Sequence, residues 1–181
     1  MLLAIAAAGC GSDTSAADKL MDESDSLRNS AVDKLRMSTG AIDNLVRSAA
    51  AGQTLPATQT KTTATTAVQD LNKALADLTT RDRNLRSASE MPLNENYMEY
   101  LKLMRESNDK LTETVNAALE IPRLLEKEQY SLAGWDEIRT QVVVSQIYSM
   151  QGRIETLNTE AELLRTRAEQ IRKDNPEDFG N

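Results

Sequence analysis

The spacing of apolar residues constrains this chain more than any other feature. Along four separate stretches they recur in alternating steps of three and four. In the first, Leu20, Ser24, Leu27, Ala31, Leu35, Ser38, Ile42, Leu45 and Ala49 form a seam of apolar or small residues across residues 16 to 50. In the second, Ala64, Val68, Leu71, Leu75 and Leu78 lead through Asp82, Leu85 and Ser89, and in the third Tyr97, Leu101, Met104, Asn108, Leu111, Val115 and Ala118 repeat the pattern. The fourth is the most regular: Val143, Ile147, Met150, Ile154, Leu157, Ala161, Leu164, Ala168 and Ile171. At about 3.6 residues per turn, each set falls on one narrow stripe of a helix, and such a stripe has to be buried against another helix.

The breaks between seams are punctuated as helix ends. Ser15 and Asp18 have capping-box spacing at the start of the first helix. Gly52 and then Pro56 close it. The threonine-rich stretch from Thr54 to Thr66 predicts a ragged start to the second helix, because β-branching weakens helix formation. Met91-Pro92-Leu93-Asn94 breaks the pattern again, with Asn94 placed as an N-cap. Pro122 lacks an amide hydrogen and is expected to interrupt the third helix, leaving Arg123 to Glu128 as a short continuation beyond a kink, closed by Ala133-Gly134. The last helix is expected from near Trp135 to Lys173, ended by Asp174-Asn175-Pro176, with 175–181 as a polar tail.

Four such segments, of about 28 to 40 residues, joined by short breaks, predict an all-α, elongated, up-down-up-down four-helix bundle over residues 16–174. At about 1.5 Å per residue it would be a rod some 45 to 60 Å long. Long helical hairpins forming a coiled-coil oligomer are the rival arrangement, since a two-position seam also suits pairing between chains. The expected core is Leu71, Leu75, Leu78, Leu101, Leu111, Ile147, Ile154, Leu157 and Leu164.

Composition narrows the chemistry. Aromatics are 3% of 181 residues, in keeping with helices rather than sheets. A formal charge of −7 argues against nucleic acid as a partner. Histidine is absent and cysteine occurs once, which removes the commonest general base and the usual zinc, haem and copper ligands. No glycine-rich phosphate loop and no nucleotide signature occur, so neither catalysis nor a cofactor or metal is expected. Met91, Met98 and Met104 read as core filler, and Asp82 and Asn108 as polar seam positions that specify register. Arg81, Arg83 and Arg86 cluster around Asp82, where they could hold a phosphate or carboxylate of a partner. Trp135 and Tyr97 stand where helices are interrupted and are the aromatic candidates for partner contact at one bundle end.

The single cysteine sits in Leu3-Ala4-Ile5-Ala6-Ala7-Ala8-Gly9-Cys10-Gly11-Ser12-Asp13, between an apolar run and a polar one. The run from Met1 to Ala8 is far short of the roughly 20 residues that span a bilayer, and matches the apolar and cleavage regions of a secretory signal peptide. Ala7-Ala8-Gly9-Cys10 resembles the lipobox of bacterial lipoproteins. That resemblance implies a signal peptide over 1–9, diacylglycerol on the Cys10 thiol, a lipidated tether over 10–15, and a place in the cell envelope. With Gly11 after the cysteine, that place would be the outer membrane in a Gram-negative organism, and otherwise the extracytoplasmic face of the cell membrane. The expected role is a membrane-anchored binding, scaffold or accessory module for another envelope protein. The alternative is a ligand-sensing or small-molecule-carrying bundle.

Overall fold

The computed structural model describes residues 14–53, 55–128 and 137–179, and among them the chain is helical without a strand. Four long helices follow one another: α1 (Ser15–Ala50), α2 (Ala57–Ser89), α3 (Glu95–Lys127) and α4 (Glu137–Asp174), then a 3-10 turn over Pro176–Asp178. Each helix packs on the next, α1 on α2 and α3 on α4 most extensively, so the fold is an up-down four-helix bundle. α1 and α4 meet only sparsely. The start of α1, the α2–α3 turn and the end of α4 therefore share one end of the rod, called here the termini end.

Burial follows the heptad spacing, with a shift in register on α2. Its buried residues are Thr60, Ala64, Ala67, Leu71, Ala74, Leu78, Arg81, Leu85 and Ala88. Val68, Leu75 and Asp82, expected on the seam, flank it instead. The same one-residue shift opens α1, where Met21 and Arg28 are buried in place of Leu20 and Leu27. On α3, which packs against both α2 and α4, the buried face is two positions wide, pairing Tyr100 with Leu101, Ser107 with Asn108 and Thr114 with Val115. On α4, Ile147, Ile154, Ala161 and Ala168 are buried one heptad apart, whereas Met150, Leu157, Leu164 and Ile171 are half-buried. Of the expected core, Leu71, Leu78, Leu101, Leu111, Ile147 and Ile154 are buried, and Leu75 and Leu157 pack partly buried beside them.

The helix ends explain themselves locally. Asn94 caps α3, its Oδ1 accepting from the Tyr97 amide at 2.8 Å, as expected. Gly52 ends α1 at φ 73°, and its amide reaches the Ala49 carbonyl while the Gln53 amide reaches that of Ser48, both at 3.0 Å. This is a Schellman closure, which needs the left-handed conformation that glycine adopts without strain. At the start of α1 the N-cap is Thr14, whose side chain makes no cap bond, and Asp18 accepts from the Tyr97 hydroxyl at 2.8 Å. The helix also runs unbroken through Pro122, which is buried with Ile121 and Leu125, so packing overrides the interruption expected there. α2 is regular from Ala57, through the threonines expected to fray it.

The expected polar tail is a packed element. Asn94 Nδ2 donates to the Asp178 carbonyl and Asn96 Nδ2 to its carboxylate, at 3.2 and 2.6 Å, and Phe179 is buried. Apolar burial falls into two clusters. One, towards the far end, is aliphatic and small, with Ile42, Leu71, Leu78, Leu111, Val115 and Ile147 among its members. The other, at the termini end, holds Met21, Leu85, Leu101 and Met104 with Tyr97, Tyr100 and Phe179. Between them lie the buried polar residues Ser24, Arg28, Arg81, Ser107 and Asn108.

Candidate functional site

Among the described residues, three places bring side-chain chemistry from several elements together. The first is the polar layer. Ser24, Arg81, Met104 and Arg165 each lie eight or nine residues from the termini end of their helices, a common height of about 12–14 Å. Arg81 is 0% exposed; its Nη1 donates to Asn108 Oδ1 at 3.1 Å, and Asn108 Nδ2 donates to the Leu78 carbonyl at 3.2 Å. Ser107 closes α3 onto α4 by donating to the Ala161 carbonyl at 2.8 Å. Arg28 on α1 pairs with Glu162 on α4. Desolvation pulls the Arg81 guanidinium down to about 10, opposed by the charge of Asp25, so it stays cationic at neutral pH.

The second place is the aromatic end. Phe179 stacks on Tyr97 with centroids 4.6 Å apart and meets Tyr100 edge-on at 5.2 Å, while the tyrosines meet each other edge-on at 5.9 Å. Burial raises both phenols well above the ordinary tyrosine range, and the bond to Asp18 raises Tyr97 further.

The third place is an open groove between α1 and α4. Arg36, Thr39, Gly40, Asp43 and Arg47 face Tyr148, Gln151, Ile154 and Glu155 across a space of about 590 Å³. Gln151 reaches Asp43 at 3.4 Å, and Arg47 pairs with Asp43 within α1 at 2.7 Å. Tyr148 is 46% exposed. Nothing approaches within 4 Å of where a Cβ on Gly40 would sit, so the gap is open at that point.

The residues singled out by sequence are dispersed across these places. Arg81 faces the core, Arg83 is exposed, and Arg86 pairs with Asp82 at 2.8 Å, so the three arginines form no joint anion site. Their proximity in sequence misleads because consecutive positions of a helix point about 100° apart. Tyr97 is 1% exposed and serves the core rather than a docking face. Cys10 and Trp135 lie outside the described residues.

Met104 is buried, Met98 is exposed and Met91 is intermediate, so the methionines do not gather. Among the described residues no group of three or more His, Cys, Asp or Glu side chains could hold a metal, and no helix is long and apolar enough to cross a membrane. Arg28 and the α1–α4 groove were missed by the sequence reading. Arg28 is recoverable from a strict four-three count starting at Ala17, whereas the groove depends on how two distant helices diverge. No family model, curated protein or solved structure matches the chain.

Proposed function

We propose that the chain is a lipid-anchored protein of a bacterial cell envelope whose bundle serves as a binding, scaffold or accessory module and not as an enzyme. The observation that carries this reading is the position of the α1–α4 groove. Gly40 is 25 residues along α1 from Ser15, and Tyr148 is 26 residues before Asp174, which puts the groove about 38 Å from the termini end. α1 begins five residues after Cys10, so diacylglycerol on that thiol would hold the termini end at the membrane and turn the groove outward. A groove that combines a half-exposed tyrosine with two arginines and two carboxylates suits a protein surface, where Tyr and Arg are the residues that carry binding energy. The chain's only thiol is committed to the anchor in this reading, and no histidine is present to act as general base.

Intact mass spectrometry and photocrosslinking together test it. Membrane-extracted protein is expected to start at an acylated Cys10, and Cys10→Ser to move the folded protein into the soluble fraction. A photocrosslinker at Tyr148 is expected to capture an envelope protein, and Arg47→Glu to reduce that capture without lowering the urea midpoint. A chain still starting at Met1 without acyl mass overturns the anchor; capture unchanged by Arg47→Glu overturns the groove.

A further inference from the structure

We infer that the Arg81 layer is an internal binding site for one small monovalent anion, of the chloride class. The argument starts from atoms that the protein leaves unmatched. Arg81 Nε and Nη2, Tyr100 Oη, Arg165 Nε and Ser24 Oγ are all buried without a hydrogen-bond partner, and each is a donor or can act as one. Ser24, Arg81 and Arg165 lie at the common height of the layer, and Tyr100 lies five residues into α3, about 7.5 Å from the same end. A buried donor left unmade costs about 1–3 kcal/mol, more when it is charged, and the one unmatched buried carboxylate oxygen near them, Asp25 Oδ1, cannot serve five donors, so they point to a further acceptor.

Charge distinguishes an anion from water. The groups facing Arg81 are Asp25 and Arg28 of α1, Tyr100 of α3 and Arg165 of α4. Glu162 is engaged by Arg28, with Arg165 Nη1 at 3.9 Å. Tyr100 faces Glu169 and Arg172 of α4 besides Asp25 and Arg81, which makes four guanidinium groups (Arg28, Arg81, Arg165, Arg172) against three carboxylates (Asp25, Glu162, Glu169). Water would satisfy the donors and leave the surplus charge in the core, whereas a halide accepts several hydrogen bonds and neutralises it. Asp25 alone does not serve: its Oδ1 is itself buried without a partner, and it makes no ion pair with Arg81.

The test is urea unfolding of the full chain at fixed ionic strength, with chloride exchanged for gluconate, which is too bulky for the layer. Once chloride exceeds its dissociation constant, each tenfold rise is expected to lower the unfolding constant about tenfold, the signature of one ion released on unfolding. Arg81→Met is expected to flatten that dependence. Asp25→Asn, which raises the surplus charge, is expected to shift it to lower chloride. Should Arg81→Met fail to fold, bromide-soaked wild-type crystals decide, with an anomalous peak expected beside Arg81 Nη2. A wild-type unfolding constant indifferent to chloride overturns the site. So does a crystal with only water, or with the Asp25 carboxylate, on Nη2.

Discussion

The two ends of the rod solve the same packing problem with different materials. At the termini end, three aromatic rings from α3 and the chain's last turn fill the space among the helices, and hydrogen bonds from Tyr97 to Asp18 and from Asn94 and Asn96 to Asp178 tie distant segments together. Towards the far end the apolar cluster is built of Ala, Leu, Val and Ile alone, and the gap between α1 and α4 is spanned by polar groups such as Asp43 and Gln151. Large rings reach across a four-helix interior and close it. Small aliphatic residues pull neighbouring helices together in pairs and leave the fourth side of the square open. The contrast teaches that a uniform heptad pattern does not produce a uniform bundle; residue volume at the seam positions decides which helix pairs touch.

The sharpest way to break the comparison is to remove a ring. Tyr97→Ala is expected to cost about 3–5 kcal/mol in urea unfolding, since it deletes a fully buried aromatic and its stacking on Phe179. A loss below about 1 kcal/mol would mean that the aromatic cluster is not what holds this end. Next in size is a pair on α4: Ile147→Ala at about 2–4 kcal/mol against Leu157→Ala at about 1–2, because Ile147 is fully buried and Leu157 only partly. Equal losses would show that Leu157 is as fully enclosed as Ile147 in solution.

Tyr97→Phe keeps the ring and removes the hydroxyl, at an expected cost of about 1–2 kcal/mol at pH 7. Both buried phenols are held above their ordinary value of 10.0, so the folded chain keeps protons that the unfolded chain loses. Stability is therefore present in full below pH 10 and declines as pH rises above it, and Tyr97→Phe is expected to make that decline shallower in alkaline urea titrations. The smallest effect belongs to the far end's turn. Gly52→Ala is expected to lower stability by about 1 kcal/mol through backbone strain alone, because the position has φ 73° and open space around it.

Much of this architecture was legible in the chain. The all-α bundle, its four segments, the Asn94 cap and the Gly52 closure follow from spacing and from local chemistry that a few residues specify. The register of α2 was not, because Val68 and Leu75 are larger and more apolar than Ala67 and Ala74, which occupy the buried positions. Where helices approach closely a methyl group fits and a leucine does not, so hydropathy alone points to the wrong neighbour. Arg81 was misplaced by the same one-residue shift, with Asp82 given its seam position. Pro122 was expected to break α3 because the cost of proline is local, whereas the burial of Ile121 and Leu125 that opposes it is set by tertiary contacts. For the functional surface less was legible still: the groove is a property of two helices about 110 residues apart in sequence, and no periodicity within either one encodes their divergence.

Phe179 also orders events in time. The contacts that finish the termini end join residues 84 and 79 positions apart, Asn94 with Asp178 and Tyr97 with Asp18, whereas the α1–α2 turn closes over a handful. A chain made from its N-terminus outward can zip that hairpin as soon as α2 is synthesised, because short loops close at little entropic cost. The opposite end has to wait until Asp178 and Phe179, which follow α4, have been made. The end at which α1 starts is therefore completed only after all four helices, and a stop codon placed just before Phe179 would release helices already paired but lacking the ring that seals them.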